Sequence, residues 1–560
     1  MKLSAFWLLL CFLLSAQTVR AQQNLAIDSL FKDWNTPKTP GGVVAVVRGN
    51  EVIYQNAFGL ADIRKGTPNT TNLSFNLASV AKQFTATCIA LLEEDGELST
   101  EDRLSKYYPE FPFADSVRIK HLLDHTSGIR EAYVLAILSG KVNLRGEVPT
   151  KYQTKPYLLK LLAQQTDLNY PPGEELAYTN INYILLGDIV EKVSDQSLRK
   201  FADSAIFQPL DMTHTFFRDS PDTVVATEAK GYFYNGKRYK PKKARGGIVG
   251  DHNLVSTLDD LIKWMQNFND NRLGSGGDQL ITKLTSSSQF NDGEPTNYAY
   301  GLWATEYRGL RQINHGGDNG QHTSHLVRFP DQQLSIIVLA NSSKYNDTQR
   351  KAYQIADALL KDQLEEKVKV DTSFTFISLS QEQLQPRVGL YKMISDEGLG
   401  RIRKVSLVEG NLYISDNYHH NGLKLNSTAD NSFVNKNPIG KYLHITFKDT
   451  PDGIQLQEQY EGTKRLFTRV EEWDVNYSDY RGQFTNESVD ATLNIKSKKD
   501  KIFAKKGIIK IPLIPIEKDT FYATQNSALF IFRRNDTGQI SQLKVNANDF
   551  RNFIFEKSSF

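Results

Sequence analysis

Three short clusters carry reactive side chains at spacings that suit acyl transfer. In the first, Ser79-Val80-Ala81-Lys82, the serine stands near the head of an apolar stretch, Leu77 to Glu94, that is predicted to be a helix stopped by Gly96. Residues three apart share a helix face, so Lys82 can reach the Ser79 hydroxyl. The exposed N–H groups and positive dipole end of such a helix favour a developing oxyanion. The same potential favours a neutral lysine able to accept the serine proton. In the second cluster, Tyr178-Thr179-Asn180, a phenol and a carboxamide stand two residues apart after the loop signal Pro171-Pro172-Gly173. The third, His315-Gly316-Gly317-Asp318, lies just before a strand that begins at His325.

Other reactive residues read as structural. His121 and His125 have helical i, i+4 spacing, and His315, His322 and His325 cluster, but neither group has the carboxylate or cysteine set of a zinc site, so no metal and no cofactor is expected. Cys88 sits in the apolar run Cys88-Ile89-Ala90-Leu91-Leu92 and reads as a buried small hydrophobe. Ser415-Asp416-Asn417 reads as a turn, and Trp264 and Trp303 as core more than pocket.

The elements that must position these clusters form an α+β pattern. Gly42 to Val47 is a buried-strand run and Glu51 to Phe58 its hairpin partner; His325 to Phe329 and Leu334 to Ala340 form another hairpin. Between them, helices are predicted at Lys151 to Gln165, Tyr183 to Lys192 and Thr257 to Phe268, and a closing helix at Thr348 to Leu364. Strands at both ends with helices between predict one antiparallel sheet completed by both ends of the domain, flanked by helices, with a helical subdomain inserted.

With these elements in place, the chain resembles the serine β-lactamase and penicillin-binding-protein superfamily, in the branch of class C β-lactamases, D-stereospecific peptidases and related esterases. The Ser-x-x-Lys, Tyr-x-Asn and Lys/His-x-Gly motifs of that branch occur here in order. They are supported by the stretches Leu122 to Ile129 and Gly246-Gly247 to Trp264, and the resemblance covers about residues 25 to 365. It implies that Ser79 is the acylated nucleophile, Lys82 its helper and Tyr178 the proton relay. It further implies that Asn180 binds the substrate amide, and that Gly316, Gly317 and Asp318 line the site, with the N–H groups of Ser79 and Asp318 as the oxyanion hole. His315 stands where many relatives have lysine. A mostly neutral imidazole offers one N–H in place of a fixed cation, so weak recognition of a substrate carboxylate, and weak or no β-lactam turnover, is expected.

The chain of 560 residues is 40% hydrophobic and 23% charged, which are globular values, and its formal net charge of +3 argues against nucleic acid as principal partner. Residues 1–21 read as an export signal with a basic start and an apolar run too short to span a bilayer, so a periplasmic or extracellular protein without stable membrane insertion is expected. Residues 22–366 then form the hydrolase domain. The polar stretch Glu365 to Ser373 reads as a linker that would let the first domain fold alone.

Beyond it helical periodicity vanishes, and Val388-Gly389-Leu390-Tyr391 and Arg481-Gly482-Gln483-Phe484 match at an offset of 93 residues. Two β-rich units, 374–473 and 474–560, follow, the second resembling the lipocalin-like tails of some relatives; cell-wall peptide or glycan is the contact expected of them. The function expected is an exported serine hydrolase acting on small ester or amide substrates, including D-amino acid peptides or peptidoglycan-like acyl donors, of carboxypeptidase or esterase type. A β-lactamase proper and a catalytically silent binding protein for peptidoglycan fragments or drugs are the alternatives.

Overall fold

The computed structural model describes residues 24–139, 154–241, 247–345, 347–366, 374–393, 402–415, 422–436, 442–451, 453–460, 463–471, 474–499, 501–506, 509–523, 528–547 and 550–558. The segment expected to be an export signal, the stretch beyond residue 366 expected to be a linker, and Asp416-Asn417 lie outside them. By internal contacts the chain divides into two compact units, one holding residues up to Ile129 together with Tyr170–Glu365, the other Arg130–Asn169 together with Glu366–Phe560.

The first unit is built on a six-stranded antiparallel sheet. Its strands are β1 (Gly42–Arg48), β2 (Glu51–Phe58), β3 (Trp303–Tyr307), β4 (Leu310–Asp318), β5 (Thr323–Phe329) and β6 (Leu334–Ala340), in the order β3-β4-β5-β6-β1-β2. Val43 to Val47 are all buried, so β1 is covered on both faces, which explains its unbroken apolar run. The main helices are α1 (Ala81–Glu94), α2 (Asn180–Ser194), α3 (Leu258–Asn267) and α4 (Thr348–Leu359). Helix α4 packs Ile355 and Ala356 with Val44, Val46, Ile336 and Val338 in one core cluster, and α3 packs on β1 and β6. The two ends of the domain therefore meet in the centre of one sheet, as the two hairpins predict.

The sequence reading marks four of the six strands and leaves β3 and β4 unmarked, and the elements it does mark differ at their ends. Ser79 stands on a 3-10 turn, Ala78–Val80, ahead of α1 rather than inside it. Helix α4 ends at Leu359, and the predicted helix at Lys151 is described as Lys155–Ala163, started by Pro156.

In the second unit, strands from Gly482–Asn486 to Phe550–Lys557 close an eight-stranded meander barrel, and strands from Gly389–Met393 to Thr463–Arg469 form a nine-stranded antiparallel sheet. By contacts, Arg130–Asn169 groups with this unit. The guanidinium of Arg130 pairs with Asp167 at 2.8 Å, donates to the Arg551 carbonyl at 3.2 Å and lies over the Phe553 ring. Asn169 accepts from the Arg551 N–H at 2.7 Å, and Gln165 donates to Ser488 at 3.3 Å. Among the described residues no helix is long and apolar enough to cross a membrane.

Candidate active site

The segment before Ser79 is fixed from two sides. Ser74–Asn76 pairs antiparallel with Leu254–Thr257, and the Leu77 N–H donates to the Leu254 carbonyl at 2.9 Å. From β5, Ser324 donates its hydroxyl to the Leu77 carbonyl at 2.8 Å. Ala78 then takes a φ of 48°, a left-handed conformation costly for a residue with a Cβ. Its N–H is held at 3.0 Å by Asn76 Oδ1, which also accepts from Asn319 at 3.1 Å. The strained residue next to Ser79 is thus held by side chains from several elements.

Lys82 is fully buried, whereas Ser79 is half-exposed. The lysine Nζ lies 3.1 Å from Ser79 Oγ, 2.9 Å from Asn180 Oδ1 and 2.9 Å from the Asp251 carbonyl. Two N–H bonds are therefore spent on oxygens that can only accept, and the remaining position on Nζ points at the serine. In the neutral amine that position is a lone pair suited to take the serine proton. Asn180 opens α2 and Asp251 lies just before the strand Leu254–Thr257, so the lysine joins two elements distant in sequence.

Tyr178 places its ring 4.9 Å from Lys82 Nζ, with the His125 ring 4.3 Å away. His125 holds the backbone on either side of this tyrosine. Its Nδ1 accepts from the Thr179 N–H at 3.3 Å and its carbonyl from the Ala177 N–H at 3.1 Å. The ring is fully buried, and burial, with the nearby Lys82 charge, holds it well below the usual histidine range. His125 therefore serves the site through Tyr178, a use that its i, i+4 spacing to His121 does not suggest. His121 Nδ1 accepts from the Arg118 N–H at 3.1 Å and caps its own short helix.

His315, Gly316, Gly317 and Asp318 form the end of β4. His315 Nδ1 lies 2.6 Å from the Gly316 carbonyl and Nε2 lies 3.1 Å from the Tyr298 hydroxyl. Burial, reinforced by Lys82, pulls its pKa down to about 3. The one N–H that a neutral histidine owns is consequently spent on a backbone carbonyl rather than left for a ligand. Gly316 pairs with His325 on β5. At Gly317 a methyl group would lie 2.2 Å from the Leu77 carbonyl oxygen and 3.0 Å from the Ser79 nitrogen, so this approach of strand to turn admits only glycine. Asp318 is exposed, and its carboxylate accepts from the Gly320 N–H at 2.6 Å.

Ser79, Lys82, Tyr178, Asn180 and the end of β4 thus come together. The sequence reading passed over Asn76, Asp251 and Tyr298; the Asp251 contact is made by backbone, which leaves no side-chain signature. Trp264 donates to Gln83 at 2.6 Å inside the core, Trp303 packs edge-on to Tyr298, and Cys88 is fully buried with its thiol pKa pushed up. Ser415 ends a strand of the second unit. Among the described residues no group of three His, Cys, Asp or Glu is placed to hold a metal ion.

Residues 27–360 match the family model described as Beta-lactamase. A D-aminopeptidase of Brucella anthropi is 25% identical over 524 residues, covering 91% of this chain and 93% of that protein. A D-aminopeptidase of Brucella canis is 29% identical over 368 residues, 65% of this chain and 68% of that one. Among solved structures, the octameric penicillin-binding protein homologue from Pyrococcus abyssi superposes with a TM-score of 0.55 at 23% identity, over 80% of this chain and 99% of that one. The D-amino acid amidase from Ochrobactrum anthropi SV3, complexed with L-phenylalanine amide, superposes with a TM-score of 0.50 at 21% identity, over 61% and 99%. The structural likenesses show the fold.

Proposed function

The chain belongs to the Beta-lactamase family, and from that premise we propose that it is a serine hydrolase of peptidase type that cleaves amides and short peptides of D-amino acids through an acyl-enzyme. The observation that carries this reading is the contact of a fully buried Lys82 with a half-exposed Ser79 at 3.1 Å. Ser79 Oγ attacks the scissile carbonyl while neutral Lys82, its other N–H bonds held by Asn180 and Asp251, takes the proton. Tyr178 passes a proton to the leaving amine and then helps water attack the acyl-enzyme. The N–H groups of Ser79 and Asp318 stabilise the oxyanion, and Asn180 ties the substrate amide to the same network.

The substrate class follows from charge and from the relatives. Both ring nitrogens of His315 are engaged within the protein, so the position that is a lysine in many relatives supplies no cation for a carboxylate. That supports substrates whose scissile bond has no carboxylate beside it, and the D-aminopeptidases matched over most of the chain support D-configured acyl groups. Small esters belong to the same chemistry, because an ester is the easier acyl donor. Export to the periplasm or beyond, on the strength of residues 1–21, and contact of the C-terminal units with cell-wall peptide or glycan complete the reading. The test is turnover of D- and L-alanine and phenylalanine amides, a short-chain nitrophenyl ester, a D-Ala-D-Ala peptide and a chromogenic cephalosporin. Faster cleavage of D-amides than of the last two is expected; preference for the cephalosporin or for L-amides would overturn the assignment.

A further inference from the structure

Tyr298 contacts the catalytic edge without belonging to any motif. It lies between the Tyr178 loop and β4, fully buried, and its backbone is fixed: its N–H donates to Thr296 Oγ1 at 3.2 Å, and its carbonyl accepts from the same hydroxyl and from the Ser288 N–H, each at 2.9 Å. Its ring meets Trp303 edge-on at 4.8 Å and the His125 ring at 4.8 Å. The phenol on this rigid mount ends 3.1 Å from His315 Nε2.

The proton positions follow from the partners. The Gly316 carbonyl only accepts, so His315 Nδ1 at 2.6 Å from it carries the hydrogen. A neutral imidazole has one such hydrogen, so Nε2 is a lone pair, and the Tyr298 hydroxyl, which also hydrogen-bonds Tyr183, is the donor facing it. The groups facing this ring are Lys82 from α1, His125 and Tyr178 from the neighbouring loops, Tyr298 with Tyr183 of α2 bonded behind it, and His325 from β5, and none of them is a carboxylate. Nothing in that set favours a second proton on His315.

We propose that Tyr298 is a positioning residue that sets the charge of substrate the site accepts: its hydroxyl locks His315 as the neutral Nδ1–H tautomer with Nε2 occupied, and so denies a carboxylate any imidazole donor. The inference rests on the hydrolase reading above only for its kinetic arm. Tyr298→Phe keeps the ring and its packing and removes the hydroxyl alone. The freed Nε2 then either takes a proton or, by ring reorientation, takes over the N–H, and in both cases a donor appears that the wild type lacks.

Two readouts test this on the full-length protein. In nitrogen-15 NMR of histidine-labelled protein, with His315→Gln identifying the signal, wild type shows His315 Nδ1 protonated and Nε2 bare, and Tyr298→Phe changes that pattern. In kinetics, the ratio of kcat/KM for a substrate with a carboxylate beside the scissile bond to that for the matched neutral amide rises about tenfold in Tyr298→Phe at pH 5.5, and less at pH 8, as expected for a gained charge-assisted bond. In the His315→Gln background the same substitution leaves the ratio unmoved. A wild-type His315 protonated at Nε2, or a Tyr298→Phe protein with wild-type tautomer and ratio, would overturn the proposal. If wild type cleaves neither substrate, the hydrolase reading fails and the NMR arm alone decides the role of Tyr298.

Discussion

Lys82 and Ser79 touch at 3.1 Å across a change of environment: the lysine has no solvent-accessible surface, and the serine is half-exposed. A buried amine whose other N–H bonds end on Asn180 and Asp251 is oriented without access to water, while the hydroxyl remains open to a substrate. Lys82→Arg keeps most of the volume but replaces an amine that can take a proton with a guanidinium that cannot, so turnover of a D-amino acid amide should fall by about 10³-fold or more. Stopped-flow kinetics should locate the loss in acylation. A variant within tenfold of wild type would remove Lys82 from proton transfer.

Gly317→Ala tests the approach of β4 to the serine turn. The added methyl would collide with the Leu77 carbonyl and press on the Ser79 N–H, so strand and turn must part. Loss of one well-placed oxyanion donor costs about 10² to 10³ in kcat, and a loss of this order is expected with KM little changed. Wild-type kcat would show that the end of β4 takes no part in stabilising the oxyanion.

How far the site is legible in the sequence depends on which atoms do the work. Ser79 with Lys82, and Tyr178 with Asn180, are short-range pairs whose side chains declare themselves, and the β1–β2 and β5–β6 hairpins are visible because apolar runs stop at turn residues. The Asp251 carbonyl and the Gly317 approach are backbone contacts, and any residue supplies a carbonyl. Tyr298 reaches His315 from a separate loop, so no spacing marks it. Apolar periodicity runs through the 3-10 turn without registering the φ of Ala78, so it places the start of α1 too early. Periodicity also cannot tell which surface a helix packs on, so nothing in it marks that Arg130–Asn169 groups by its contacts with the C-terminal strands, within the family match of residues 27–360.

That segment gives the third prediction. Arg130 is 2% exposed on its side chain, pairs with a largely exposed Asp167 and bonds the Arg551 carbonyl. Arg130→Ala should destabilise the second unit by about 1 to 2 kcal/mol, less than a fully buried pair because Asp167 keeps its water. Ending the chain at residue 366 removes the partner of residues 130–169 altogether. Limited proteolysis of the truncated protein should cut within 154–169 where the full chain resists, and equal resistance would show that these residues hold without the tail.

Acid stability gives the fourth. Burial lowers His315 and His325 to about 3 and His121 to about 4, with His125 and His322 also lowered. Each then binds fewer protons folded than unfolded between its native pKa and about 6.5, so stability is lost as pH falls through that window, by up to about 1.4 kcal/mol per pH unit per histidine. Asp124, raised to about 6 by burial, acts the other way between about 4 and 6 but is a single group. The Tm should therefore drop steeply from pH 6.5 to 4.5, and His325→Gln should make the slope shallower by about one proton. A flat Tm across that range would mean that the histidines are protonated in place.

The central claim is that Ser79 is acylated during turnover, and mass spectrometry after rapid quenching with a slow-deacylating D-acyl ester or a fluorophosphonate measures it most directly. One adduct is expected, on the peptide containing Ser79, absent from a normally folded Ser79→Ala protein that has also lost turnover. Hydrolysis of D-amino acid amides that persists in Ser79→Ala, or an adduct on another residue, would contradict it.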